Sequence, residues 1–208
     1  IDTNVATRRN KGTNYGRIML KKYLNQIKFK EFYVLKFDIS KYFFNLSHNI
    51  LKKLIRKKIK DKDALKILDD IIDSTDEEYI NNTILRIKKN NNYSTDVDKL
   101  PMYRKGYGLP IGNLSSQVLA VMYLDELDRF IKEKLHIKYY IRYMDDGILI
   151  HESKEYLEYC LSKIIEILDK YELELNDKTK IYSYKEGFEF LGFKYSPFIS
   201  FKRLSDNQ

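Results

Sequence analysis

Cysteine is almost absent from this chain. Cys160 stands alone, so no internal disulfide can form, and a reducing compartment is expected. Tryptophan is missing, and proline and histidine occur three times each. His48, His136 and Cys160 show no zinc-ligand spacing and read as structural or surface residues. No apolar run approaches the roughly 18 residues of a membrane-spanning helix, so no membrane partner is expected. The first residues, "IDTNVATRRNKG", have no signal-peptide character and no initiator Met, which fits a fragment of a longer protein.

What is present is a core and a charge. Hydrophobic residues make up 43% of the 208, enough for one large domain or one and a half lobes. The 18 tyrosines and 11 phenylalanines supply rings that pack, many with a hydroxyl to spare. A formal charge of +8 suits a polyanion such as nucleic acid, although a lysine-rich composition explains it equally well. The basic run Lys52, Lys53, Arg56, Lys57, Lys58 reads first as a solvated helix face.

Periodicity predicts a strand over 31–39, with Tyr33, Leu35 and Phe37 on one side and Lys36 and Asp38 on the other. Helices are predicted over 47–59, with Ser47 as N-cap, and over 63–73. Residues 74–105 read as polar, with a loop at 88–96. The glycines and proline of 106–113, "GYGLPIGN", predict a tight turn. A helix follows over 114–135, carrying Leu124, Leu127, Ile131 and Leu135. Residues 138–150 read as a hairpin folded about Asp145–Gly147, since Asp-Gly is a strong turn signal. Residues 154–171 read as a helix with Leu157, Leu161, Ile164, Ile165 and Leu168 inward, and 188–201 as a second hairpin. The fold class expected is α+β, an antiparallel sheet with helices on one face.

The sharpest feature is "YMDD", Tyr143 to Asp146, in a run of β-branched and aromatic residues. By itself "DDG" is ordinary turn chemistry. If Asp38 lies on a neighbouring strand, however, three carboxylates converge. Like charges at one point must hold protons or cations, and oxygen-only donors suit hard divalent ions.

Around these acids the chain resembles a reverse transcriptase palm over about residues 5–200. "FDISKYFFNLSH" (37–48), "GLPIGNLSSQ" (108–117), "YMDD", "LELNDKTKI" (173–181) and "FEFLGFKY" (188–195) resemble the family's motifs in their order. The resemblance implies metal ligation by Asp38, Asp145 and Asp146, using two Mg²⁺ ions for which Mn²⁺ can substitute. It implies nucleotide or template contacts at Ile39, Phe43, Ile111, Gly112, Gln117 and Tyr143, with Phe43 excluding a ribose 2′-hydroxyl. Phe190, Leu191 and Gly192 match the primer grip. Lys178 or Lys180 matches the lysine proposed to protonate pyrophosphate. Arg8, Arg9 and Lys11 lie just upstream of the first motif, where template or primer contact is plausible. Arg142 could pair with a phosphate or a carboxylate.

The domains implied are the end of the fingers (1–30), the first part of the palm (31–60), a fingers–palm connection (61–105), the palm with catalytic hairpin and primer grip (106–200) and a thumb start or tail (201–208). Most of the fingers and thumb would lie outside the chain. Ile111, and Ser116-Gln117 closing the motif, resemble the error-prone enzymes of bacterial diversity-generating retroelements. Intron-encoded, retron-like and abortive-infection enzymes share neighbouring motifs. The expected partners are an RNA template, a DNA or RNA primer, dNTPs and an accessory protein, and the expected place is the cytoplasm, for a bacterial or phage-encoded protein. An RNA-directed RNA polymerase and a non-catalytic nucleic-acid scaffold are the rival functions.

Overall fold

The computed structural model describes residues 3–27, 31–89, 101–196 and 199–203. They form two compact units that alternate along the chain. One unit takes residues 1–39, 124–170 and 174–208; the other takes 40–123 and 171–173.

The first unit is built on a four-stranded sheet in the order β2-β3-β1-β4. Its strands are β1 (Tyr33–Asp38), β2 (Tyr139–Tyr143), β3 (Asp146–His151) and β4 (Lys180–Ser183), and all three pairings are antiparallel. Val34 and Leu35 are neighbours in β1 and both fully buried, so cover lies on both faces of the sheet. Val34, Ile141, Ile148 and Ile150 join Leu20 and Ile27 of helix α1 (Thr13–Ile27) in one core. Phe188 and Phe190 of β5 (Phe188–Phe190) and Tyr195 of β6 (Phe193–Ser196) complete it. A further strand, β7 (Ile199–Arg203), extends that hairpin.

Helix α8 (Lys154–Lys170) packs on β1, β3 and β4. Ser153 caps it, its hydroxyl accepting from Tyr156 N–H at 3.0 Å. The buried stripe is Leu157, Cys160, Ile164, Ile167 and Leu168. Leu161 is half-buried and Ile165 exposed, contrary to expectation. The inward face keeps a strict three- and four-residue spacing, which puts Ile167 where Ile165 was expected.

The second unit is helical. It contains α2 (Tyr42–Asn45), α3 (His48–Lys58), α4 (Lys62–Asp73), a 3₁₀ turn (Ser74–Asp76), α5 (Glu78–Lys89) and α6 (Leu114–Tyr123). Its core includes Tyr42, Leu46, Leu51, Ile55, Ile72, Leu119 and Tyr123. Tyr42 donates its hydroxyl to the Ala120 carbonyl at 2.5 Å and Tyr123 donates to the Tyr171 carbonyl at 2.8 Å. Burial pushes the Tyr123 hydroxyl far above its ordinary pKa.

Several expectations fail here for local reasons. Ser47 sits at the N-cap of α3 but makes no side-chain cap; instead its N–H donates to Tyr123 Oη at 3.3 Å. Asp61 does cap α4, accepting from Ala64 N–H at 2.7 Å. The polar stretch after residue 74 contains α5, because Asn81 finds a tertiary partner, exchanging two hydrogen bonds with the Tyr103 backbone. Lys88 and Lys89 are helical, and the rest of the loop expected at 88–96 lies outside the described residues. The helix expected over 114–135 breaks after Tyr123. It resumes as α7 (Asp125–Arg129) and a π-helical turn (Phe130–Lys134), both in the first unit. Leu124, Leu127, Ile131 and Leu135 are all buried, as their spacing predicts.

Candidate functional site

The β2–β3 hairpin turns at Met144–Asp145, not at Asp145–Gly147. Tyr143 pairs with Asp146, so Asp146 is already in β3 and Met144 takes the left-handed backbone, φ 56°. Gly147 is a strand residue. A Cβ there would fall inside the Phe37 ring, so this glycine makes room rather than a turn.

The registers bring the acids together. Asp38 ends β1 directly opposite Asp146, and Asp145 is the adjoining turn residue. Asp146 Oδ1 is buried without a hydrogen-bond partner; Lys36 Nζ lies 3.9 Å away, an ion pair too long for a hydrogen bond. Burial pushes the Asp146 carboxyl up to about 7, with Asp38 and Asp145 adding to the rise against the pull of Lys36. Asp145 is raised too, chiefly by burial. Asn176 donates from its side chain to Asp38 Oδ2 and from its N–H to the Asp38 carbonyl, the latter at 2.8 Å. Oxygen donors, mutual repulsion and a buried oxygen without a partner together fit a hard divalent cation.

Behind the hairpin lies a second charged cluster, and this one is closed. Arg142 is fully buried. Its Nε and Nη2 donate to the two oxygens of Asp128 at 2.8 and 2.7 Å. Tyr140 donates to Asp128 at 2.7 Å. Arg142 Nη1 donates to the Met144 carbonyl at 2.6 Å, anchoring the left-handed residue of the turn. Its backbone is bonded to Thr3 and Val5. Arg142 therefore binds a carboxylate, one of the two partners its sequence context left open.

The other expected site residues have these places. Ile39 is fully buried and bridged to Leu175. Tyr143 is half-buried. Lys178 is exposed, its N–H donating to Asn176 Oδ1, and Lys180 lies 3.8 Å from Glu186. Phe190 is in the core, and Leu191 and Gly192 form a tight turn with φ 51° and 75°. These belong to the first unit.

Phe43, Ile111, Gly112 and Gln117 belong to the second. Phe43 is half-buried and meets Tyr42 edge-on at 5.9 Å, whereas Phe44 packs on Tyr103. Ile111 is 61% exposed beside exposed Leu114 and Val118. Gly112 has φ 100° and open space where a Cβ would be. Gln117 is half-buried on α6.

Sequence reasoning missed Asn176, Asp128 and Lys36. Asn176 lies within "LELNDKTKI", so that motif was the available signal. Nothing along the chain pointed to Asp128.

A family model described as reverse transcriptase (RNA-dependent DNA polymerase) matches residues 4–195. Telomerase from Candida tropicalis in complex with the TWJ fragment of telomeric RNA has a similar structure. The TM-score is 0.66 at 16% identity, over 99% of this chain and 34% of that one. The apo form truncated from its C-terminal domain gives a TM-score of 0.58 at 18% identity, over 97% of this chain and 41% of that one. At such identities the likeness is one of fold. The Saccharomyces cerevisiae protein assigned to COX1/OXI3 intron 2 is 28% identical over 100 residues, 48% of this chain and 10% of that protein. The chain thus spans about a tenth of that relative and a third to two fifths of the telomerase chains. Among the described residues, no helix is long and apolar enough to cross a membrane.

Proposed function

The chain belongs to the reverse transcriptase (RNA-dependent DNA polymerase) family, and on that premise we propose that it is the palm of an enzyme that copies an RNA template by adding dNTPs to a primer. The observation carrying this reading is the pairing of Asp38 with Asp146 beside Asp145, with one buried oxygen lacking a hydrogen bond.

Asp38, Asp145 and Asp146 would hold two Mg²⁺ ions, or Mn²⁺ in their place, which when bound neutralise phosphate charge and acidify the primer hydroxyl. The reaction joins the primer 3′-oxygen to the α-phosphorus of the dNTP. It breaks the bond to the β-phosphate and releases pyrophosphate. The role assigned to Lys178 is to give pyrophosphate a proton, with Lys180 two residues on as the alternative. Phe43 would exclude a 2′-hydroxyl by its bulk. The resemblance assigns nucleotide or template contacts to Gly112 and Gln117 in the helical unit and to Ile39 and Tyr143 in the sheet unit. The Leu191–Gly192 turn, carried on Phe190, would support the primer.

Ile111 favours the error-prone, diversity-generating type, because an apolar side chain offers no hydrogen bond to tell a right pair from a wrong one. That type works with an accessory protein. The likeness to the yeast intron protein favours a second reading, an intron-encoded enzyme.

Primer extension on an adenine-containing RNA template tests both. Extension with dNTPs alone is expected, lost in Asp145→Asn. Phe43→Ala should admit rNTPs. Ile111→Gln should lower errors opposite adenine; error rates unmoved by Ile111→Gln would favour the intron type. Extension with rNTPs by the unaltered chain would point to an RNA polymerase. Primer–template binding without extension would point to a scaffold.

A further inference from the structure

The second unit carries a cluster that the polymerase reading does not use. His48, the first residue of α3, is 4% exposed, and its Nδ1 has no hydrogen-bond partner. That nitrogen faces Asp73 Oδ1 at 3.4 Å and Asp76 Oδ2 at 3.7 Å. The ring's other nitrogen is 2.8 Å from the Gly108 carbonyl, to which only an N–H can donate. In the neutral ring, that bond leaves Nδ1 without a proton and beside two carboxylates. An unprotonated nitrogen so placed is repelled unless a proton or a metal cation lies between.

We propose that His48, Asp73 and Asp76 form a binding site for a divalent transition-metal ion, with Zn²⁺ as the ion that fits best. The three donor atoms lie within 4.8 Å of one another. A tetrahedral ion about 2.1 Å from each donor needs them roughly 3.4 Å apart, so the two histidine–aspartate spacings are nearly in place. One imidazole with two carboxylates suits Zn²⁺ better than Mg²⁺ or Ca²⁺, which prefer oxygen alone.

The surroundings are those of a prepared site. The Gly108 carbonyl fixes the histidine tautomer, as outer partners of metal-bound histidines do. Gly106 N–H holds Asp76 Oδ1 at 2.7 Å, leaving Oδ2 turned to His48. Lys52 donates to both Asp73 oxygens at 2.6 Å and offsets one of the two negative charges, and each oxygen retains a second lone pair. Asp73 is about half exposed, which gives the ion a way in. The ion would tie α3 to the 3₁₀ turn and, through Gly106 and Gly108, to the turn that leads to Ile111.

The test titrates Zn²⁺ into the full chain carrying Asp38→Asn, Asp145→Asn and Asp146→Asn, so that the other acids do not compete. One Zn²⁺ per chain is expected, with a higher melting temperature. Asp73→Asn and Asp76→Asn should each weaken binding at least tenfold while circular dichroism stays unchanged. Co²⁺ in place of Zn²⁺ should give a visible absorption band that His48→Gln removes. A folded chain that binds no Zn²⁺, or binds it equally well in the Asp73→Asn and Asp76→Asn chains, overturns the proposal.

Discussion

The β2–β3 hairpin carries two clusters of charge a few residues apart, and they are built on opposite principles. Around Arg142 every charge has its complement: both Asp128 oxygens are taken, Tyr140 adds a donor and the last guanidinium nitrogen reaches Met144. Around Asp146 the complement is partial: Lys36 lies 3.9 Å off, Oδ1 has no hydrogen bond, and burial pushes the carboxyl up to about 7. Full burial is tolerated in the first cluster because each hydrogen-bonding group is met. The second cluster tolerates partial burial at a cost in stability, a cost that a bound cation would relieve. Within one sheet, then, one charged cluster closes its hydrogen bonds and the other leaves a buried oxygen open.

The largest effect should come from breaking the closed cluster. Arg142→Met leaves Asp128 buried and unpaired, and is expected to cost about 3–5 kcal/mol in urea unfolding. The double change Arg142→Met with Asp128→Leu should recover much of that loss, because both buried charges then go together.

Gly147→Ala probes the joint between the clusters, since Gly147 pairs with Arg142 and abuts Phe37. Overpacking there should cost about 1–3 kcal/mol. Primer extension should fall with it, because Asp146 and Asp38 shift apart.

The open cluster should respond with the opposite sign. In chelator, Asp146→Asn is expected to stabilise the chain by about 1 kcal/mol, as a buried repelled charge is removed. The same change should shrink the rise in melting temperature that Mg²⁺ brings to the unaltered chain. Destabilisation in chelator would mean that the cluster is closed in some other way.

The smallest test is of a group outside both clusters. Burial pushes the Cys160 thiol up to about 11, so little thiolate exists at pH 8. Alkylation at pH 8 should be slow in the native chain and fast in denaturant.

Much of this is legible along the chain, and the failures share a cause. β1, the hairpin and α8 follow from periods of two and 3.6, which local burial imposes. The hairpin turns one residue earlier than its sequence suggests. Asp-Gly has a strong turn propensity, whereas Gly147 answers to Phe37, which belongs to a distant part of the chain. Asp128 carries no local signature, and Asn176 is marked only by the motif around it. Each matters through a partner that only the fold supplies, Asp38 for one and Arg142 for the other. The acids themselves are readable because two carboxylates set into a run of strand-forming residues are costly to bury unless a proton or a cation meets them.

The position of β1 has a consequence for the newborn chain. Both its neighbours, β3 and β4, come from more than 100 residues further on. At about 5–20 residues per second, a ribosome leaves both edges of β1 unpaired for roughly 5–20 s. Its apolar run "YVLKF" is during that time a template for any passing strand. The nearly continuous helical unit, residues 40–123, emerges within the same interval and can close on local contacts. Synthesis thus separates a helical part that can form early, lacking only 171–173, from a sheet that must wait, and slow translation or a scarce chaperone would be felt first at β1.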